Sequence, residues 1–107
     1  MNSPRCRLSP PGSSRERRGT VLVQSADKLV ASGLWSCTAG KFQWVFSWDE
    51  FVHILDGEVV ISEEGGETYT LNPGDFAHFP SGLKTKWHVP NFVKKAFTIR
   101  TLEPFVF

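Results

Sequence analysis

Few side chains in this 107-residue sequence have the type and spacing to do chemistry, and Glu50 leads them. It opens the run EFVHILDGEV, whose alternation gives Glu50, Val52 and Ile54 one strand face and Phe51, His53 and Leu55 the other. In KFQWVF the same alternation groups Phe42, Trp44 and Phe46, and in LKTKWHV it groups Leu83, Thr85, Trp87 and Val89. If these apolar faces line an interior, Glu50 is a carboxylate among Trp44, Phe46 and Trp87, with Thr85 beside it. A carboxylate withdrawn from water resists ionisation unless a donor or a cation answers it. Such a group can move a proton in catalysis or anchor the amine or amide of a ligand. It can equally be a structural acid satisfied by Thr85, Tyr69 or a backbone amide.

The aromatic residues are as ambiguous as the acid. Trp44, Phe46, Phe42 and Trp87 can form a box for a flat or cationic small molecule, or simply fill a small barrel. His53 and His88 alternate onto faces opposite Glu50 and Thr85, so they do not complete an inward metal sphere. His78, directly before Phe79-Pro80, falls near a pocket rim and joins the candidate ligand-binding set. No Ser-His-Asp order, phosphate-cradling Gly-rich loop, H-E-x-x-H or paired-carboxylate motif is present.

The elements that must position these groups are short strands. From Val21 onward, apolar runs are broken by turn residues every 8–12 positions or so, the punctuation of an all-β domain. Candidate strands are 20–24, 34–37, 42–46, 51–55, 58–62, 67–71, 76–79, 84–89 and 92–99. Ala39-Gly40, Asp56-Gly57, Gly65-Gly66, Asn72-Pro73-Gly74, Pro80-Ser81-Gly82 and Pro90-Asn91 read as the turns between them, with Asp56-Gly57 suiting a type I′ hairpin. Ala26–Ser32 is expected to form a single helical turn. So many antiparallel strands in so short a chain point to a barrel or jelly roll, where closure removes exposed edges.

Composition bounds the function classes. Residues 1–19 hold five Arg against one Glu, a balance of +4, whereas the rest holds seven Lys/Arg against ten Asp/Glu, a balance of −3. The head is rich in Pro and Ser and poor in apolar residues, so it reads as a disordered basic tail ahead of one domain over 20–107. Pro10-Pro11 interrupts the amphipathic helix that a targeting peptide would need. The net charge of +1 argues for neither nucleic acid nor an anionic membrane as partner, and no run of about 18 apolar residues suggests a membrane span. Two cysteines without C-x-x-C spacing suit a reducing cytoplasm. Lys84, Lys86, Lys94 and Lys95, set against Glu58, Glu63, Glu64 and Glu67, read as a solvated surface of mixed sign.

Two stretches together resemble a known pattern. Glu50 and Gly57 keep the spacing of the second half of the first cupin motif, and Gly74, Pro80 and Gly82 keep that of the second motif. GLWSCTAGKFQWVFSWDE, LDGEVVIS, PGDFAHFPSGL and WHVPNFVKK are similar to the cupin_3 group, also called DUF861 or ureidoglycine aminohydrolase-type cupins. The resemblance spans roughly Gly33–Arg100 and implies a single RmlC-like jelly roll, a double-stranded β-helix. It also implies a metal held by a His-x-His pair, Glu50 and a further His. Those histidines fall here on Trp44 and Phe46 (or Gln43 and Val45) and on Thr85. Only Glu50 survives, and one carboxylate with one hydroxyl cannot hold manganese, zinc or iron against water. No metal cofactor is therefore expected. In the same pattern one of Lys94 and Lys95 is basic, with a salt bridge to an acid as its plain role.

Three functions follow as expectations. The first is a metal-free cupin that binds a small molecule between Trp44, Phe46, Glu50, Thr85 and Trp87, a reading that a solidly packed interior would defeat. The second is an aminohydrolase-like enzyme in which Glu50 moves a proton on a small ureide, amide or aminal. The third is a structural module working through a dimer surface, favoured by a closed interior beneath an apolar outer face. Small cupins commonly dimerise, and a homodimer is expected, with Phe105-Val106-Phe107 docking on the barrel or on a partner.

Overall fold

The computed structural model describes residues 17–104, and all of its regular structure is β. Seven strands run in order: β1 (Arg17–Gln24), β2 (Val30–Val45), β3 (Asp49–Gly57), β4 (Val59–Glu63), β5 (Thr68–Leu71), β6 (Phe76–Phe79) and β7 (Lys84–Arg100). The larger sheet has the order β1-β2-β7-β3-β6. The last part of β2 and the first part of β7 continue into a smaller sheet, where β7 also pairs with β4 and β4 with β5. All pairings are antiparallel, and the strands close around one apolar core that draws on both sheets, a jelly-roll barrel.

Two of the expected turns are corners inside long strands. Ala39-Gly40 lies at a register shift in β2 between Thr38 and Gly40, directly opposite Pro90-Asn91 in β7. Gly and Pro break the ladder at one level in both partners, so the paired strands bend together from one sheet into the other. That merges 34–37 with 42–46, and 84–89 with 92–99.

Asp56-Gly57 is not a hairpin either. β3 pairs with β6 and β7 and β4 pairs with β5 and β7, so the two residues carry the chain between sheets. Gly57 has φ +75°, and a Cβ there would lie 1.9 Å from the Phe92 carbonyl oxygen. Close backbone approach, rather than turn type, requires the glycine. The Glu63–Glu67 connection does form the expected hairpin, closed by the Glu63 amide donating to the Glu67 carbonyl.

The helical turn expected over Ala26–Ser32 is absent. Asp27 accepts from the Ser25 hydroxyl and the Leu29 amide, which fixes a tight link, and the β-branched Val30 already opens β2. Those two hydrogen bonds hold the Asp27 carboxyl below its usual range. Strand β1 begins at Arg17, three residues earlier than the expected domain start; residues 1–16 and the Phe105–Phe107 docking segment lie outside the described residues. Among the described residues no helix is long and apolar enough to cross a membrane.

Candidate functional site

Inside the barrel, Glu50 is 2% exposed and Lys95, on β7, is 4% exposed. The Lys95 ammonium donates to Glu50 Oε2 at 2.5 Å, and the Trp48 indole donates to Oε1 at 2.9 Å. Both carboxylate oxygens are thus engaged. Lys95 Nζ also lies 4.9 Å from the ring centroids of both Trp35 and Trp87, so two indole faces flank the buried cation. Lys94 points to solvent and Lys95 inward by the alternation of β7. The surface reading of Lys95 is therefore corrected; the paired acid is Glu50.

The walls are packed against one another. Phe46 stacks on Phe79 at 4.7 Å between ring centroids, Phe42 stacks on Trp87 at 5.6 Å, and Trp44 meets Phe46 edge to face. The Thr85 hydroxyl accepts from Trp87 Nε1 at 2.8 Å and donates to the Trp44 carbonyl at 2.9 Å. The Phe46 amide donates to the Leu83 carbonyl, and the Gly82 amide to the Phe46 carbonyl, which pins the Pro80–Gly82 loop to the end of β2. One polar atom is left over: Trp35 Nε1 is buried with no partner among the described residues.

Trp44, Phe46, Glu50, Thr85 and Trp87 all lie in the interior, as their alternation requires, and all are buried. His78 does not join them; it stacks on Phe51 on the outer face of the larger sheet, at 4.5 Å. Tyr69 does not reach Glu50 but donates to Glu63 Oε2 at 2.7 Å, and burial, then that carboxylate, push its phenol above the usual range. Sequence reasoning missed Trp48 and Trp35 and left Lys95 on the surface. Alternation in VKKAFTI would have turned Lys95 inward with Val93 and Phe97, which was the available signal.

The interior does not fit the metal that the resemblance implies. Glu50 has both oxygens committed, Thr85 has its hydroxyl committed at both ends, and the Trp44 and Phe46 side chains have no lone pair to give a metal. A site of this kind needs roughly three or four protein ligands. No group of three His, Cys, Asp or Glu suited to a metal ion occurs among the described residues.

The outer face of the larger sheet is built differently. Cross-strand partners share a face, so the register yields one outward row of Val23, Ser32, Thr98, Phe51 and His78. The next row is Thr20, Leu34, Ala96, His53 and Phe76. Phe76 is 76% exposed and Phe51 49%, while His53 stacks on Phe76 at 4.2 Å. Neither row holds an Asp, Glu, Lys or Arg; the charges lie in flanking rows, with Arg18, Lys94 and Asp56 on one side and Asp49 and Arg100 on the other. The central hydroxyls of Ser32 and Thr98 share one hydrogen bond at 2.7 Å. A shallow hollow of about 390 Å³ runs across these rows.

Comparison with known proteins agrees with this architecture. EutQ from Clostridium difficile superposes with a TM-score of 0.72 at 19% identity, over 81% of this chain and 64% of that one. A putative ethanolamine utilization protein Q from Salmonella typhimurium LT2 gives 0.69 at 27% identity, over 78% and 68%. A DUF861-family protein of unknown function from Pseudomonas syringae pv. tomato DC3000 gives 0.73 at 26%, over 85% and 42%. The chain thus spans about two thirds of the two EutQ structures and less than half of the Pseudomonas protein. No functionally curated protein matches it. The model of the EutQ-like cupin domain matches residues 24–97, more than half of the sequence, and the chain belongs to that family, Cupin_3.

Proposed function

We propose that this cupin is a non-catalytic interaction module whose working surface is the outer face of the larger sheet, and that the face closes on a second copy of the chain. The observation that carries the reading is the contrast across one sheet: a barrel interior occupied by its own paired side chains, beneath an exposed outer face of stacked Phe and His. A soluble monomer gains little from Phe76 and Phe51 in water, and contiguous apolar surface of this kind marks a contact site.

A second copy suits the face because of where its charges lie. A two-fold interface brings each patch against itself, so a central charge would meet its like. The two central rows carry no formal charge, and the charged residues lie at the edge, the arrangement of an interface with an apolar centre and a polar rim. The Ser32–Thr98 hydrogen bond pairs two of the hydroxyls at its centre with each other.

Binding of a small molecule within the barrel has less support, because Trp44, Phe46, Thr85 and Trp87 are buried, with Trp44 packed on Phe46 and Thr85 bonded to Trp87. Proton transfer by Glu50 has less support for the same reason: a carboxylate held by Lys95 and Trp48 is not free to meet a substrate. Sedimentation velocity over a concentration series tests the proposal. The natural chain should sediment as a dimer, and Phe51→Lys with Phe76→Lys should sediment as a folded monomer. A natural chain that stays monomeric at high micromolar concentration, or a double variant that stays dimeric, contradicts it.

A further inference from the structure

We infer that the outer face of the smaller sheet binds a small molecule bearing a compact, doubly charged oxyanion such as a phosphate ester, independently of the dimer, which concerns the other sheet. Strand register decides where the charge lies. Lys41, His88, Val60 and Thr70 form one outward row across β2, β7, β4 and β5, and Gln43, Lys86, Ser62 and Thr68 form the next. Val45 and Lys84 follow. Three lysines and a histidine thus share one face, and neither complete row holds an Asp or Glu, although residues 20–107 carry a balance of −3. In the sequence these lysines stand among acids, but the fold separates the signs. Glu63 turns away to accept from Tyr69, while Glu58, Glu64 and Glu67 stand just outside the ends of β4 and β5.

The face is also hollowed. Two adjoining hollows of about 370 and 450 Å³ meet at Gln43, Ser62 and Lys86, which line both. These three stand side by side on neighbouring strands, so an amide, an ammonium and a hydroxyl cover a row of roughly 10 Å at the usual strand spacing. Ser62 Oγ accepts from the Thr68 hydroxyl at 3.0 Å, and among the described residues its own proton meets no acceptor. That proton is left to donate beside Lys86, which pairs with no acid among the described residues. Glu64 borders the hairpin end of the first hollow, which places the anion toward Lys86 and His88. Lys84 and the Lys41–His88 row flank Lys86 at about 7 Å along the strands, more positive charge than a single carboxylate needs. A phosphate group can accept from several such donors at once. Neither row carries a Phe, Tyr or Trp on which a base could stack, so the occupant is a small molecule and not a nucleic-acid strand.

Titration of the full chain with inorganic phosphate, followed by NMR at an ionic strength held constant with chloride, tests this site. Amide shifts should saturate at low-millimolar phosphate and centre on Gln43, Ser62 and Lys86, and singly charged acetate should bind more weakly. Lys86→Met should weaken phosphate binding by about fivefold or more, and Ser62→Ala by about threefold or more, the scale of one hydrogen bond to an anion in a partly exposed site. Lys28→Gln, which removes the same charge from the link between β1 and β2, should leave binding unchanged. Shifts that never saturate or that centre on other strands, acetate bound as tightly as phosphate, or a Lys86→Met or Ser62→Ala variant that binds like the natural chain would each overturn the inference. So would a Lys28→Gln variant weakened as much as Lys86→Met. Lys86 is exposed, so its variant should fold, and it decides the matter if Ser62→Ala does not fold.

Discussion

Strand β3 presents two surfaces one residue apart. Glu50, Val52 and Ile54 face the core, where the acid is paired and the apolar side chains are enclosed. Phe51, His53 and Leu55 face outward, the first two stacked on His78 and Phe76 and the third exposed. The alternation is the ordinary two-residue period of a strand, but here both sides are apolar. A sheet that faced water on one side would place polar residues there. The hydrophobic residues on this outer face are the ones the proposed dimer would cover.

The comparison can be broken most forcefully from within. Ile54→Ala should cost about 2–5 kcal/mol, and Leu55→Ala, its outward neighbour, about 0.5 kcal/mol or less, by urea denaturation at a concentration where both are monomeric. Similar losses at the two positions would erase the distinction. Gly57→Ala should cost about 2 kcal/mol or more, since the new Cβ overlaps the Phe92 carbonyl at a positive φ; a neutral outcome would mean that the sheet crossing is plastic. Thr85→Val removes the acceptor of the Trp87 indole and should cost about 1–3 kcal/mol with the fold retained by circular dichroism.

The smallest effect concerns Tyr69, the one tyrosine in the sequence, which makes its titration clean. Burial and Glu63 raise its pKa, so the folded protein favours the neutral phenol. The resulting stabilisation is fully present below the ordinary tyrosine pKa and is lost as pH rises toward the folded value. The tyrosinate absorbance band should appear at higher pH in the folded chain than in urea. Glu63→Gln should bring it part of the way back, and an ordinary titration in the folded chain would show that the hydrogen bond does not persist in solution.

Much of this was legible in the sequence, because strand alternation and turn composition are local. The inward grouping of Trp44, Glu50, Thr85 and Trp87 and the outward grouping of Phe51 and His53 follow from parity alone. What was not legible depends on distant partners. Ala39-Gly40 and Pro90-Asn91 have turn chemistry, yet they lie opposite each other in the β2–β7 ladder and become one shared corner. Asp56-Gly57 has hairpin composition, but its neighbours pair elsewhere, and the glycine answers to Phe92. Lys95 was hidden by its neighbour: a Lys-Lys pair suggests a surface, whereas strand parity separates the two, and only the tertiary structure brings Lys95 to Glu50.

Native mass spectrometry of the full chain at micromolar concentration tests the central claim most directly, because one spectrum reports both the interior and the outer face. A self-contained barrel that associates through the larger sheet predicts twice the chain mass with nothing added. A single chain carrying the added mass of a metal ion or a tightly bound small molecule would contradict the account on both counts.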